Sequence, residues 1–432
     1  MKKRMLHVLA MAMLGGAAIG ADPEKASAIP AFSQQTGQSC QACHFAVMPR
    51  LNAEGRRFRM NSFRDVGEQG LMEDESLSLP VDLNASLRLR VRISNGKTKD
   101  QDVNVLSSGG VIEMPTVGGV SEPPGLQAPE RADLFIAGHI GKHMGAITEV
   151  NLVKGKMDID HLKLAYVWDT SLGPIALAGG FSRTKGATYV FNDPSNAISP
   201  NLRGWQHAFV ALDADGEGVM SGRMGGAGVY AHLYDLIYVA VAGISPAIGT
   251  QGGTADLHVS PYLRTALTFP LGAFDIVAGA WYSQIKIGDY AAAVTGAVNT
   301  TTQQYGIDLE AQGTIGDINL GFYLPWQFRA DQISKAKGPA DDTWFGVYPV
   351  FTASSGPVGG RFGYDFSQTK FTGQPGKVSS STKTWMIGAW YAVMRNVVFD
   401  LEFIGKSVTD VLGVQGNTEN LSAVTARLEY LY

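Results

Sequence analysis

The sequence predicts an all-β chain, a 16-stranded antiparallel transmembrane β-barrel preceded by a small N-terminal haem c plug segment. Three observations lead there. Apolar and polar residues alternate with period two from Pro80 onward. The connections between the alternating runs are by turns short and long. The motif Cys40-Gln41-Ala42-Cys43-His44 stands ahead of the first run. The chain divides accordingly into a signal peptide (1–28), a monohaem c-type cytochrome segment (29–79) and an outer-membrane barrel (80–432).

The signal comes first. Lys2, Lys3 and Arg4 form a positive n-region, residues 6–19 a short apolar core, and small residues follow. Cleavage fits after Gly20 or after Ala28. The apolar core is too short for an anchor helix, and no later stretch offers about 18 consecutive apolar residues. Charged residues make up only 17% of the chain, its 432 residues include 52 glycines, and the net charge is -4. Such a chain is β-rich and offers nucleic acid no basic surface.

The two cysteines of the chain sit three residues apart. Thiols at this spacing reach the two vinyl groups on one porphyrin edge and form thioethers, and His44 then supplies the proximal iron ligand. A redox disulfide needs only the Cys-x-x-Cys part and makes no use of His44. A structural zinc site needs four ligands, and no second pair is near. One covalent haem c is therefore expected, held by Cys40, Cys43 and His44. For the sixth iron position Met60 is the candidate among Met48, Met60 and Met72; a barrel histidine and an open site are the alternatives.

The first barrel strand places Val81, Leu83, Ala85, Leu87, Leu89, Val91 and Ile93 on one face, and Asp82, Asn84, Ser86, Arg88, Arg90 and Arg92 on the other. The last repeats the pattern, with Val424, Ala426, Leu428, Tyr430 and Tyr432 against Ala423, Thr425, Arg427 and Glu429. Long two-faced strands form a wall between lipid and water. A soluble sandwich also alternates, but its strands are shorter. Tight turns are expected at residues 141–142, 170–173, 233–235, 270–273, 313–317, 355–359 and 394–396. Longer loops are expected at 95–131, 183–221, 245–256, 286–303, 329–342, 368–383 and 406–419, with a shorter one near 154–158. The strand-like run 207–213 is assigned to an external loop, which keeps the strand number even and the C-terminus on the periplasmic side.

A barrel of this size has a lumen wide enough for a plug. Residues 29 to about 75 are too few to bury a core alone, so the cytochrome segment is expected inside the barrel mouth. The inward arginines then have two readings. Arg88 and Arg90, with Arg92, either bind the haem propionates or simply line water.

The haem segment resembles a known family, the outer-membrane monohaem cytochrome–porin fusions of iron-oxidising bacteria. The shared residues are Pro30-Ala31-Phe32, Gln35-Thr36-Gly37-Gln38-Ser39-Cys40, the haem motif, Pro49-Arg50-Leu51-Asn52 and Gly55-Arg56. Phe58, Asn61 and Phe63 follow, and Leu233-Tyr234-Asp235-Leu236-Ile237-Tyr238 is similar to the family's tight-turn segment. Two features depart. Glu54 stands where an aromatic is common, and Arg59-Met60-Asn61-Ser62-Phe63 replaces Lys-Leu-Asn-Gly-Tyr, so the family pattern lends Met60 no support as a ligand. The resemblance implies oxidation of extracellular Fe(II), with electrons passed through the haem to a periplasmic cytochrome or other carrier. Conduction from another extracellular donor or acceptor is the second reading, and a diffusion porin with a structural haem plug the third. His139 and His143 read as turn-surface residues and Asp193 and Asp215 as solvated loop residues. Asp213-Ala214-Asp215-Gly216, with Glu217, lacks calcium-loop spacing.

Overall fold

A computed structural model describes residues 31–46, 50–64, 71–73, 78–80, 84–96, 104–107, 110–113, 125–140, 142–152, 157–182, 186–198, 224–245, 259–287, 300–335, 338–371, 378–394, 397–412 and 415–431. The expected signal peptide, the run 207–213, Asp215, Met48 and residues 81–83 lie outside them.

The barrel strands are β1 (Ala85–Gly96), β2 (Gly125–Ile140), β3 (Met144–Asn151), β4 (Asp158–Thr170), β5 (Gly173–Ser182), β6 (Met224–Leu233), β7 (Ile237–Ser245) and β8 (Ser260–Leu271). They continue as β9 (Phe274–Ile287), β10 (Thr300–Ile315), β11 (Ile318–Lys335), β12 (Gly338–Val347 with Val350–Ser355), β13 (Val358–Phe371), β14 (Val378–Met394), β15 (Val397–Leu412) and β16 (Gln415–Leu431). Both halves of β12 pair with β11 and with β13, so they are one strand interrupted at Tyr348 and Pro349, and the wall has 16 strands. Pro349 has no N–H to give a ladder, which accounts for the break. Each strand pairs antiparallel with its sequence neighbours, and β16 closes on β1 from Ala423↔Gly96 to Leu431↔Arg88. Closure leaves no open edge.

The period-two pattern decides which face meets lipid. On β4, Leu162, Leu164, Tyr166 and Trp168 are 36–46% exposed, while His161, Lys163, Ala165 and Val167 between them are 0–1% exposed. Outward apolar and inward polar residues are the arrangement of a wall in a bilayer, and no described helix is long and apolar enough to cross one. The chain is an outer-membrane β-barrel of the porin-like type.

All the expected tight turns join consecutive strands. Three expected long loops do not exist at that length. The strands run on to Lys335 and from Gly338, on to Phe371 and from Val378, and on to Leu412 and from Gln415. Residues such as Asp331 and Asp410 are polar enough to read as loop, yet the backbone ladder continues through them. β1 begins at Ala85, with Asn84, Ser86 and Arg92 buried on the lumen side as expected.

Among the described residues, four short helices lie within the barrel or at its mouth: α1 (Ala31–Thr36), α2 (Cys40–Cys43), α3 (Ala53–Met60) and α4 (Gly186–Val190). The first three belong to the plug segment, and α4 opens the β5–β6 connection. Plug contacts fall near the tight-turn ends of the strands. Phe58, Phe63 and Ala31 pack on Ala137 of β2 and Ile147 of β3, while Arg64 pairs with Asp169 of β4 and the Lys142 carbonyl. Gly145 lets the plug approach, since a Cβ there would run into the Ser62 carbonyl.

Candidate haem site

The motif is built on one helical turn. α2 carries Cys40 and Cys43 and ends at His44, whose N–H donates to the Cys40 carbonyl at 2.9 Å. The two thiols are free of each other and partly exposed. His44 then pairs with Leu51 in an isolated antiparallel bridge, and the Phe45 N–H donates to the Arg50 carbonyl at 2.9 Å. That same carbonyl lies 3.1 Å from His44 Nδ1. A carbonyl can only accept, so this bond puts the proton on Nδ1 and leaves Nε2 as the lone-pair nitrogen. An imidazole held in this way is oriented to ligate iron, and its partner fixes the tautomer.

Asn52 ties the motif to the next helix. Its Nδ2 donates to the Ala42 carbonyl at 2.9 Å, its backbone N–H to the Cys43 carbonyl at 3.0 Å, and its Oδ1 caps α3 by accepting from the Gly55 N–H at 2.9 Å. A Cβ at residue 55 would strike the Cys43 carbonyl, which explains the glycine. Burial pushes the Cys43 thiol above its ordinary pKa; the Glu54 carboxylate adds to this and Arg57 opposes it. The Cys40–Cys43 turn followed by a histidine held through Nδ1 is the donor set of a thioether-linked haem, whereas a disulfide centre makes no use of the histidine.

The wall holds this segment through named contacts. Arg56 donates from Nη1 to Glu310 and Gln312 of β10, both at 3.0 Å. Asn196, in the chain after α4, donates to the Leu51 carbonyl at 2.9 Å and to Glu310 at 2.7 Å, and accepts from the Leu51 N–H at 3.0 Å. Arg59 donates to the Asp193 carbonyl. Burial lowers the Arg59 pKa, with Asp193 working against that. The Tyr230 hydroxyl of β6 donates to the Met60 carbonyl at 2.8 Å and lies 2.7 Å from Ser62 Oγ. Phe32, Phe58 and Phe63 form one ring cluster, with centroids 4.6–5.6 Å apart.

Other expected residues fall as follows. Met60 is buried in the wall cluster that includes Ala165 and Tyr230, at the end of α3 remote from Asn52. Arg88 donates to Asp133 and to Glu149, the latter at 2.7 Å, and so belongs to an ion network of the wall. Arg90 lies 3.9 Å from Glu429 of β16. His139 is buried on the lumen face of β2 rather than exposed at a turn, because its place in the strand continues the inward series Asp133–Ala137. Asp193 is buried and bonded to Arg264 of β8 at 2.6 Å, which corrects its reading as a solvated loop residue.

Two features escape sequence reasoning. Arg50, quoted only as part of a resemblance, is buried, with its guanidinium 5.4 Å from the Tyr323 ring centroid and 5.7 Å from that of Trp390. The chain from 186 to 198 folds into the lumen, with Thr188, Asn192, Asp193, Ser195 and Asn196 all buried. The one sequence signal for this was its density of Asn, Ser and Asp, which an external loop shares.

No family model matches the chain, and no curated protein sequence does. Among solved structures, it is similar to an anion-selective porin from Comamonas acidovorans at 12% identity, covering 81% of this chain and 99% of that one with a TM-score of 0.50. It is similar to the outer membrane channel DcaP of Acinetobacter baumannii at 10% identity, covering 84% and 100%, also at 0.50. The trimer form of OmpT, an outer membrane protein of Vibrio cholerae, matches at 11% identity over 81% and 99%, again at 0.50. At such identities the likeness is one of fold: this chain has the closed antiparallel barrel of outer-membrane channels, with a cysteine–histidine segment lodged in it.

Proposed function

We propose that this protein is an outer-membrane c-type cytochrome that oxidises extracellular Fe(II) and passes the electron through its haem to a periplasmic cytochrome or another electron carrier. The observation that carries the reading is that the chain just after the Cys40–His44 turn is seated on the inner wall of the barrel, with Ala46 packed on Trp390 and Val398 and Arg50 over the Tyr323 and Trp390 rings, while the Arg50 carbonyl holds His44 Nδ1. The resemblance to the cytochrome–porin fusions rests on residues between 30 and 63, which include this turn, and on 233–238.

When bound, haem c supplies a one-electron couple. Cys40 and Cys43 would hold it through thioethers and His44 would ligate its iron. The Arg50 carbonyl fixes the histidine ring, and Asn52 fixes the cysteine turn relative to α3. Glu310, Gln312 and Asn196 keep the segment seated, so that its contacts with the wall exclude water between them. Fe(II) is the substrate; it loses one electron and leaves as Fe(III) on the outer side, where insoluble ferric product does no harm. The plug supports conduction of charge over diffusion of solute, since it occupies lumen that a diffusion porin keeps wet.

Stopped-flow mixing of the oxidised holoprotein with Fe(II) tests the proposal. Reduction of the haem absorbance is expected in the native chain and none in His44→Ala. A native holoprotein that Fe(II) leaves oxidised, while other donors reduce it, favours conduction from a different extracellular donor.

A further inference from the structure

Among the described residues, one group of three metal-ligand side chains converges on the lumen wall: Glu149 of β3 with Asp160 and His161 of β4. A β-bulge makes the group. Glu149 faces His161 in the ladder and Val150 faces Ile159, so Asp160 is the extra residue between them. Strict alternation would send Asp160 to the lipid. The bulge turns it inward beside His161, and Ile159 goes outward instead, at 45% exposure.

The three ligand atoms lie within 4.8 Å of one another, and the two histidine–carboxylate distances suit a metal ion. His161 Nε2 lies 3.3 Å from Glu149 Oε2 and 3.5 Å from Asp160 Oδ2. Metal bonds of about 2.1 Å to imidazole nitrogen and carboxylate oxygen place ligand atoms about 3.0 Å apart on an octahedral edge and about 3.4 Å apart on a tetrahedral one. The supporting contacts also suit one. His161 Nδ1 is 2.9 Å from Ser182 Oγ of β5, so the ring is held through its second nitrogen. Glu149 Oε1 accepts from Arg88 at 2.7 Å, which aims Oε2 toward the histidine. Arg131 stands 3.8 Å from Glu149 and 3.9 Å from Asp160, and the Tyr189 ring covers His161 at 4.8 Å between centroids.

We propose that Glu149, Asp160 and His161 form a binding site for a first-row divalent cation, separate from the haem segment. Two carboxylates and one imidazole suit Mn(II), Fe(II) or Zn(II) and disfavour soft Cu(I). The site borders the plug: Lys163, two residues along β4 from His161, has its ammonium 4.7 Å from the Phe63 ring centroid. The repulsion of Arg88 and Arg131 keeps the ion exchangeable. Under the proposed function that ion is the substrate Fe(II), and this identification alone rests on that reading.

The test is titration of the detergent-solubilised, full-length holoprotein with Mn(II), following the free ion by electron paramagnetic resonance. The native chain is expected to take up one equivalent. His161→Gln and Asp160→Asn are each expected to weaken uptake by about tenfold or more, and Ser182→Ala by less. Heat-modifiable gel mobility confirms that each variant keeps its barrel; should His161→Gln fail this, the nearly isosteric Asp160→Asn carries the test. Absence of uptake at about 1 mM Mn(II), or equal uptake by the native chain and Asp160→Asn, would overturn the site and leave a histidine–carboxylate ion pair in its place. Mn(II) uptake does not involve haem reduction. Uptake without Fe(II) oxidation would therefore count against the proposed function and not against the site.

Discussion

On β6, β8 and β10 the inward polar groups reach across the lumen, whereas on β13, β15 and β16 they reach along the wall. Tyr230 bonds the Met60 carbonyl, Arg264 bonds Asp193 as well as Asp308 of β10, and Glu310 bonds Arg56 and Asn196. On the other arc Arg361 donates to Asp400 at 2.6 Å and to Glu402 at 2.8 Å, with Arg427 3.5 Å from Glu402. Arg88 of β1 likewise pairs with Asp133 and Glu149 on the next two strands. The first arc is completed by chain from outside the sheet, and the second is complete in itself. One barrel interior thus serves two purposes, a seat for the plug and a self-neutralised wall.

Breaking one buried pair on each arc is the strongest way to challenge that division. Glu310→Ala leaves Arg56 buried without its carboxylate, and both members of the pair are at most 3% exposed. The loss is about 3–5 kcal/mol, and it falls on plug seating. Trypsin is then expected to cut within 53–60, at Arg56, Arg57 or Arg59, and single-channel conductance to rise, while the heat-modifiable barrel band persists. Arg361→Ala carries a similar loss of about 3–5 kcal/mol, but on the wall. It lowers the barrel's melting temperature and leaves the tryptic pattern unchanged. If the two variants exchange phenotypes, the two-arc description fails.

Tyr230→Phe sharpens the same point at smaller scale. The hydroxyl serves Met60, Ser62 and Asn192 at once, all buried. Its removal is expected to weaken plug seating by about 1–3 kcal/mol, read as faster proteolysis of residues 31–64, with no change in barrel melting. Asn52→Ala comes next. It removes the α3 cap and the clamp on the Ala42 carbonyl, at about 1 kcal/mol. Its distinctive readout is a broadened haem absorbance from a loosened cysteine turn, with conductance unchanged.

The wall arc was legible in the sequence and the seat largely was not. Arg88, Arg92, Arg427 and Glu429 fall on the polar side of a strict alternation, and turns such as that at 270–273 are marked by Pro270 and Gly272 between apolar runs. The cysteine–histidine motif is equally local. The seat depends on partners far apart in sequence, such as Asn196 with Leu51 and Glu310, so nothing nearby distinguishes its polar residues from those of a solvated loop. Asp193 was read as solvated for this reason. The pairing of Asp160 with His161 was hidden too, because a bulge breaks the very alternation by which strand faces are assigned. Arg50 is the same case: a charged residue reads as surface unless the rings of Tyr323 and Trp390 are known to lie over it.

The smallest effect expected concerns Cys43 and is read in protein expressed without haem attachment. Burial raises the Cys43 thiol, Glu54 adds to that, and Arg57 opposes it. A thiol raised in the folded chain carries less thiolate at any given pH than the unfolded thiol, so iodoacetamide is expected to alkylate it more slowly than it does the unfolded chain. The unfolded thiol ionises first. Stability from this group is therefore complete below the ordinary thiol pKa and declines as pH rises through the alkaline range. Glu54→Gln removes the second of three raising causes, which are burial, Glu54 and Cys40 in descending order. It is expected to speed alkylation at pH 8 while changing stability by about 0.5 kcal/mol or less, since the Glu54–Arg57 pair is largely exposed. Equal alkylation rates in the native chain, Glu54→Gln and the unfolded chain would mean that the cysteine turn is not seated against α3, and the clamp assigned to Asn52 would fall with it.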